Sequence, residues 1–194
     1  MRDLQRRYYC SNFLVMVSVQ TTSLFNLTLL SYLTNRFEQV YLTAIMSISS
    51  DIISIFISGV LIEKFGVRIS LFLTYLIAGI GGVLLLTYGL DHTDSIAFPI
   101  FFLICRFGVG GAVLIVVAAN SRIFDIEQAS TAFGLSAFFG RLMLSAAPVV
   151  STVAQPVPTL IFTGTCLAFS AISFLLKIHP EAETYSRNRK ANGG

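Results

Sequence analysis

The sequence predicts an all-α membrane protein, a six-transmembrane-helix bundle, and three observations predict it. The first is composition. Of 194 residues, 55% are hydrophobic and only 12% charged, with a mean hydropathy of +0.78. A soluble domain carries roughly 25% charged residues. Half that density cannot cover a folded surface with polar groups, so lipid has to serve as solvent. The second is length: six apolar stretches each reach the about 20 residues a spanning helix needs. The third is the placement of positive charge between them.

The six stretches are 13–33, 41–62, 69–90, 96–119, 132–153 and 158–178. The first follows Arg2, Arg6 and Arg7 and imitates a signal peptide. A signal core is only about 7–15 residues and ends at a small-residue cleavage site. This run is longer and has no such site, so it reads as the first span. The breaks at 34–40, 63–68, 91–95, 120–131 and 154–157 are short and polar, which makes consecutive helices antiparallel. The last break is marked by Gln155, Pro156 and Pro158 rather than by charge. Residues 1–179 thus form a membrane domain. Residues 180–194 form a polar tail, expected to be disordered or ordered only by a partner.

With six spans, one side collects Arg2, Arg6, Arg7, Lys64, Arg68, Arg122, Lys177, Arg187, Arg189 and Lys190, and the other only Arg36. Basic residues stay on the side from which insertion occurs. Both termini are therefore expected on the cytosolic or equivalent side, in the plasma membrane or an organelle membrane, the mitochondrial inner membrane included.

Chemistry-bearing residues are few. Cys10, Cys105 and Cys166 are odd in number and widely spaced, which gives neither a disulfide framework nor a metal site. His92 and His179 stand alone. No nucleophile–base pair, His-Glu cluster or basic aromatic surface is present. This argues against an enzyme, a cofactor or metal, and a nucleic-acid partner.

Three ionisable residues lie near mid-span: Asp51, Arg106 and Arg141. Each costs roughly 2.5–3.5 kcal/mol on insertion scales at a helix centre, so such groups face a bundle interior or an aqueous cavity. Two readings stand: contact with a solute, or an ion pair that fixes packing. Glycines crowd Arg106 and favour packing there. Ser47, Asp51, Ser54 and Ser58 share one helical face, and Ser18, Thr22 and Asn26 form a second polar patch beside Gln20 and Ser23. Such stripes line a water path or bond neighbouring helices. Gly108, Gly110 and Gly111 after Arg106 read as a close helix contact, as do Ala78 and Gly82.

The second break reads Gly59-Val-Leu-Ile-Glu63-Lys64-Phe-Gly66-Val-Arg68. It resembles the signature loop of the major facilitator superfamily, a tight turn whose charges latch helix ends. Arg6-Arg7 followed by Thr21-Thr22-Ser23 resembles the entry to the seventh helix in the organic cation/anion transporter branch. Asp51, twelve positions before Glu63, falls where that branch has an acidic residue. Arg106-Phe-Gly108-Val-Gly-Gly resembles the start of the tenth-helix motif. The stretch 134–148, with Arg141 seven residues before Pro148, resembles the eleventh helix, where organic-anion members place an arginine facing the substrate. The resemblance covers about residues 1–178 and implies the C-terminal, six-helix half of a transporter.

Two departures qualify what it implies. Transporters of this kind have two such halves with the pathway between them. The acidic residue, proline and arginine that follow the family's tenth helix are replaced here by Arg122, Asp125 and Ala129. The resemblance implies transport of a small organic solute, an anion if Arg141 and Asp51 shape the site with Asn26 and Thr22. Glu63, Lys64, Gly66, Arg68, Arg106 and Gly108 would serve gating and structure. Besides membrane lipid, it implies a second half, a second copy, or a large complex in which the chain is a non-transporting accessory subunit.

Overall fold

The computed structural model describes residues 2–34, 40–89, 97–124 and 126–175. All the regular structure among them is helical, with no strand. Helix α1 spans Arg2–Thr34, α2 Val40–Leu84, α3 Ala97–Ile123, α4 Ile126–Leu144, α5 Ala146–Thr152 and α6 Val157–Ile172. A π-helical turn, Leu85–Gly89, ends α2, and a 3-10 turn, Ser173–Leu175, ends α6. Four segments are long and apolar enough to cross a membrane: Cys10–Leu33, Ser47–Thr87, Phe98–Ile123 and Ala129–Thr152. Helix α6 is apolar but shorter.

Helix α2 holds 45 residues. Straight, it would be about 68 Å long, more than twice the roughly 30 Å hydrocarbon layer. It is not straight. Gly66 takes φ 78°, ψ 171°, a left-handed φ that glycine adopts without a Cβ penalty. Contacts with α3 show that the chain reverses there. Ser50 reaches Leu103, Asp51 reaches Arg106 and Ser54 reaches Phe107, so residues 40–65 run parallel to α3. Gly81 lies against Cys105, Gly108 against Ala78 and Thr74, and Gly111 against Thr74, so residues 67–84 run antiparallel to it. The expected break at 63–68 is thus a turn at one residue, and α2 is a hairpin of two arms.

Two other boundaries differ from expectation. The stretch 120–131, read as a loop, is mostly helical, since α3 continues to Ile123 and α4 begins at Ile126. The Asn120 side-chain amide donates to the Ala129 carbonyl at 2.7 Å and ties the two helix ends together. The fifth stretch is interrupted at Ser145 between α4 and α5. Pro148 has no N–H to give, and its ring clashes with the carbonyl four residues earlier, that of Leu144. Ser145 bonds back to Leu142 through both its N–H, at 3.3 Å, and its hydroxyl, at 2.6 Å. The tail and the breaks around Arg36 and His92 lie outside the described residues.

Helix α1 packs on α3, α4, α5 and α6, and the α2 hairpin on α3 and α6. Hydrocarbon gives no hydrophobic drive for one apolar helix to leave lipid for another. Close packing of small residues and interhelical hydrogen bonds hold such bundles, and both occur here. A Cβ on Gly108 would lie 2.6 Å from the Ala78 nitrogen and the Thr74 carbonyl oxygen, so only glycine permits this approach. The fully buried Tyr75 places its hydroxyl 2.6 Å from Ser23 Oγ and 3.0 Å from the Val19 carbonyl oxygen, joining α2 to α1. Ser170 of α6 donates to the Phe72 carbonyl. Polar side chains turned inward and isoleucines turned outward are the pattern of a bundle solvated by lipid.

Candidate functional site

The three mid-span charges separate into two centres. In the first, the Arg106 guanidinium grips Asp51 with two bonds, Nε to Oδ1 at 3.2 Å and Nη2 to Oδ2 at 3.0 Å. Its third contact, Nη1 to Ser31 Oγ at 2.7 Å, reaches α1, and Ser31 in turn donates to the Leu27 carbonyl. One arginine thereby joins α1, the first arm of α2, and α3. The bidentate geometry is the strong form of the arginine–carboxylate pair. The Arg106 side chain is 14% exposed and that of Asp51 34%. Gly110 makes room for the carboxylate, because a Cβ there would stand 3.3 Å from Asp51 Oδ1.

The serine stripe follows the same face. Ser54 donates to the Phe107 carbonyl at 2.8 Å, Ser50 to that of Leu103 at 3.5 Å, and Ser58 sits against Gly111. Ser47 is buried as well. Of the two readings of this stripe, the structure places it in the α2–α3 seam rather than along open water. A groove of about 420 Å³ flanks the seam between the α2 arms and α3, lined mainly by Ile45, Ile53, Ile77, Ile100, Leu103 and Phe107. Its two serines, Ser49 and Ser50, spend their hydroxyls on backbone carbonyls.

The second centre is Arg141 on α4. It is exposed and has no ion pair or hydrogen bond among the described residues. Gly134, Phe138 and Ser145 share its side of the helix, and all are exposed. The segment Ala129–Thr152 is the least buried of the four long spans. Beside it, α1 turns outward a stripe of Ser11, Leu14, Ser18, Thr28 and Tyr32, all partly or fully exposed, while the Thr21 hydroxyl is shielded. Helix α4 meets α1 at Gly140, where a Cβ would stand 2.7 Å from Leu24 Cδ1 and 3.8 Å from Thr21 Cα. Among the described residues, the α1–α4 face thus combines hydroxyls with an unpaired cation, Arg141. The outer face of the first α2 arm differs entirely, with Ile45, Ile48, Ile52, Phe56 and Val60 all at least half exposed.

The other candidate residues sit elsewhere. Asn26 is fully buried, donating to Cys166 Sγ at 3.4 Å and accepting from Thr165 Oγ1 at 3.1 Å, so it joins α1 to α6. Thr22 is also buried. The structure therefore puts Asp51, Asn26 and Thr22 in helix contacts and leaves Arg141 alone on an open face; it does not bring the four together. In the hairpin turn, Glu63 and Lys64 are exposed. Arg68, two residues past Gly66, donates through Nη2 to the Phe174 carbonyl and lies 6.0 Å from the centre of that ring. It thereby ties the turn to the 3-10 turn that ends α6. Arg122 is exposed, while Asp125 falls outside the described residues.

Sequence reasoning passed over Ser31, the third contact of Arg106, and Tyr75, the hub between α1 and α2. Its only available signal was a polar residue inside an apolar run. Among the described residues, no group of His, Cys, Asp or Glu is arranged to hold a metal ion. Comparison of the chain with protein-family models and with curated proteins gives no match.

Proposed function

We propose that this chain is one half of a major facilitator-type transporter for a small organic solute, with its pathway along the α1–α4 face. A second half or a second copy completes the pathway. The carrying observation is the contrast between that face, with its hydroxyls and the free Arg141, and the isoleucine face of α2. An unpaired arginine within a span is costly against lipid, and such residues characteristically mark a water-filled path or a substrate. A permanent cation that makes no internal bond attracts an anion, so the solute is an organic anion. The hairpin turn at Gly66 and the bond from Arg68 to the end of α6 suit a half-bundle in which α2 and α6 move together. In vesicles reconstituted with the chain, alone or with a co-expressed partner half, a labelled organic anion is taken up and Arg141→Ala abolishes the uptake. No uptake across a panel of organic anions ends this reading.

A second reading is favoured by the first charged centre. Asp51 is spent on Arg106, and Arg141 meets no acidic side chain among the described residues. An accessory subunit needs no such group, and Arg141 would then pair with an acidic side chain of a larger complex. Stoichiometric co-purification with that complex from native membranes, without anion uptake, supports this reading over transport.

A further inference from the structure

Two acceptors at the α1–α4 seam lack a donor, and the cation beside them lacks an acceptor. Gln20 Oε1 and Thr21 Oγ1 are shielded from solvent and have no hydrogen-bond partner, and Gln20 as a whole is 4% exposed. Buried polar groups in native structures are almost always satisfied, so an unsatisfied pair at one seam calls for a physical account. A guanidinium carries five donors and no acceptor, and the nearest residue of that kind along α4 is Arg141, unbonded among the described residues.

The seam is built to let α4 turn. α4 rests on α1 through Gly140, a residue with no side chain to lock, with Gln20 Cγ 3.9 Å from where its Cβ would be. Arg141 is the next position, about 100° further round the helix. Four residues later the helix breaks at Ser145, ahead of Pro148, so α4 and α5 are two segments rather than one continuous rod. We propose that α4 has a second seating on α1, reached by rolling part of a turn about its axis, in which the Arg141 guanidinium donates to Gln20 Oε1 and Thr21 Oγ1. In the seating seen here the cation faces outward and the acceptors are orphaned; in the other, both are satisfied and the cation is withdrawn from the open face. Arg141 is then a positioning residue of a two-state joint. This holds whether or not the chain transports anything.

The test uses the full chain in lipid nanodiscs, with the exposed Cys10 replaced by serine and spin labels at Leu14→Cys on α1 and Phe138→Cys on α4, both exposed positions. Pulsed electron resonance should give two distance populations. Arg141→Ala, a change at an exposed site that leaves the helix content unaltered, should lower the second population at least about tenfold, since it removes both charge-assisted hydrogen bonds. Gln20→Leu removes one of them and should lower it by less, and the double variant should fall no further than Arg141→Ala alone. A single distance in the parent, or a second population that survives either substitution, overturns the proposal.

Discussion

Arg106 and Arg141 stand 35 positions apart, each within an apolar span, Arg106 inside α3 and Arg141 in the last turn of α4, and the bundle treats them in opposite ways. Arg106 is held by Asp51 and Ser31 and joins three helices; Arg141 faces outward with nothing to bond among the described residues. A charge at mid-span has to be compensated or it has to be used. The α2–α3 seam compensates its charge within the chain. On the α1–α4 face the charge is left without an internal partner among the described residues, and that difference sets the proposed pathway on α4 apart from the packing contacts of the seam.

Substitutions sharpen the contrast. The largest effect is expected for Asp51→Ala, which strands Arg106 beside apolar neighbours. This pair is only part-buried and Arg106 keeps Ser31, so the cost falls below that of breaking a fully buried pair, about 2–3 kcal/mol, measurable as a lower midpoint of reversible unfolding in mixed micelles, with partial recovery in Asp51→Ala/Arg106→Leu. Next is Gly108→Ala, whose Cβ would meet backbone atoms of Ala78 and Thr74 at 2.6 Å. Overpacking of this kind costs about 1–3 kcal/mol. Gly134→Ala, where a Cβ meets nothing within 4 Å, is the control and should unfold at the parental midpoint or slightly above. Arg68→Ala removes the bond to the end of α6 and should cost about 1 kcal/mol, read as faster proteolysis near Phe174. Arg141→Ala should change stability by no more than about 0.5 kcal/mol, as exposed substitutions usually do. A large loss of stability there would erase the contrast between the two arginines.

Much of this architecture was legible in the residues. The apolar runs marked the helices, Gly66 within a charged break marked the turn, and the glycines after Arg106 marked a close contact. What was not legible was which polar group meets which. Asn26 and Thr165 are 139 positions apart, and Ser31 and Arg106 are 75 apart. No local pattern encodes such pairs, because they depend on how helices rotate against one another. Hence Asp51 and Arg141 looked equivalent along the chain, each a lone charge in a span. The interruption at Ser145 follows from Pro148, yet hydropathy is blind to it, since a broken helix and a straight one are equally apolar.

The central claim is that the α1–α4 face meets water or a partner's polar surface while the outer face of α2 meets lipid. Single cysteines placed at Ser18, Arg141, Ile52 and Phe56 of the Cys10→Ser chain, in native membranes, test it with a membrane-impermeant thiol reagent. The account predicts modification at positions 18 and 141, slowed by whatever occupies the face, and none at 52 and 56. Equal protection of all four positions, or reaction at 52 and 56 alone, would contradict it.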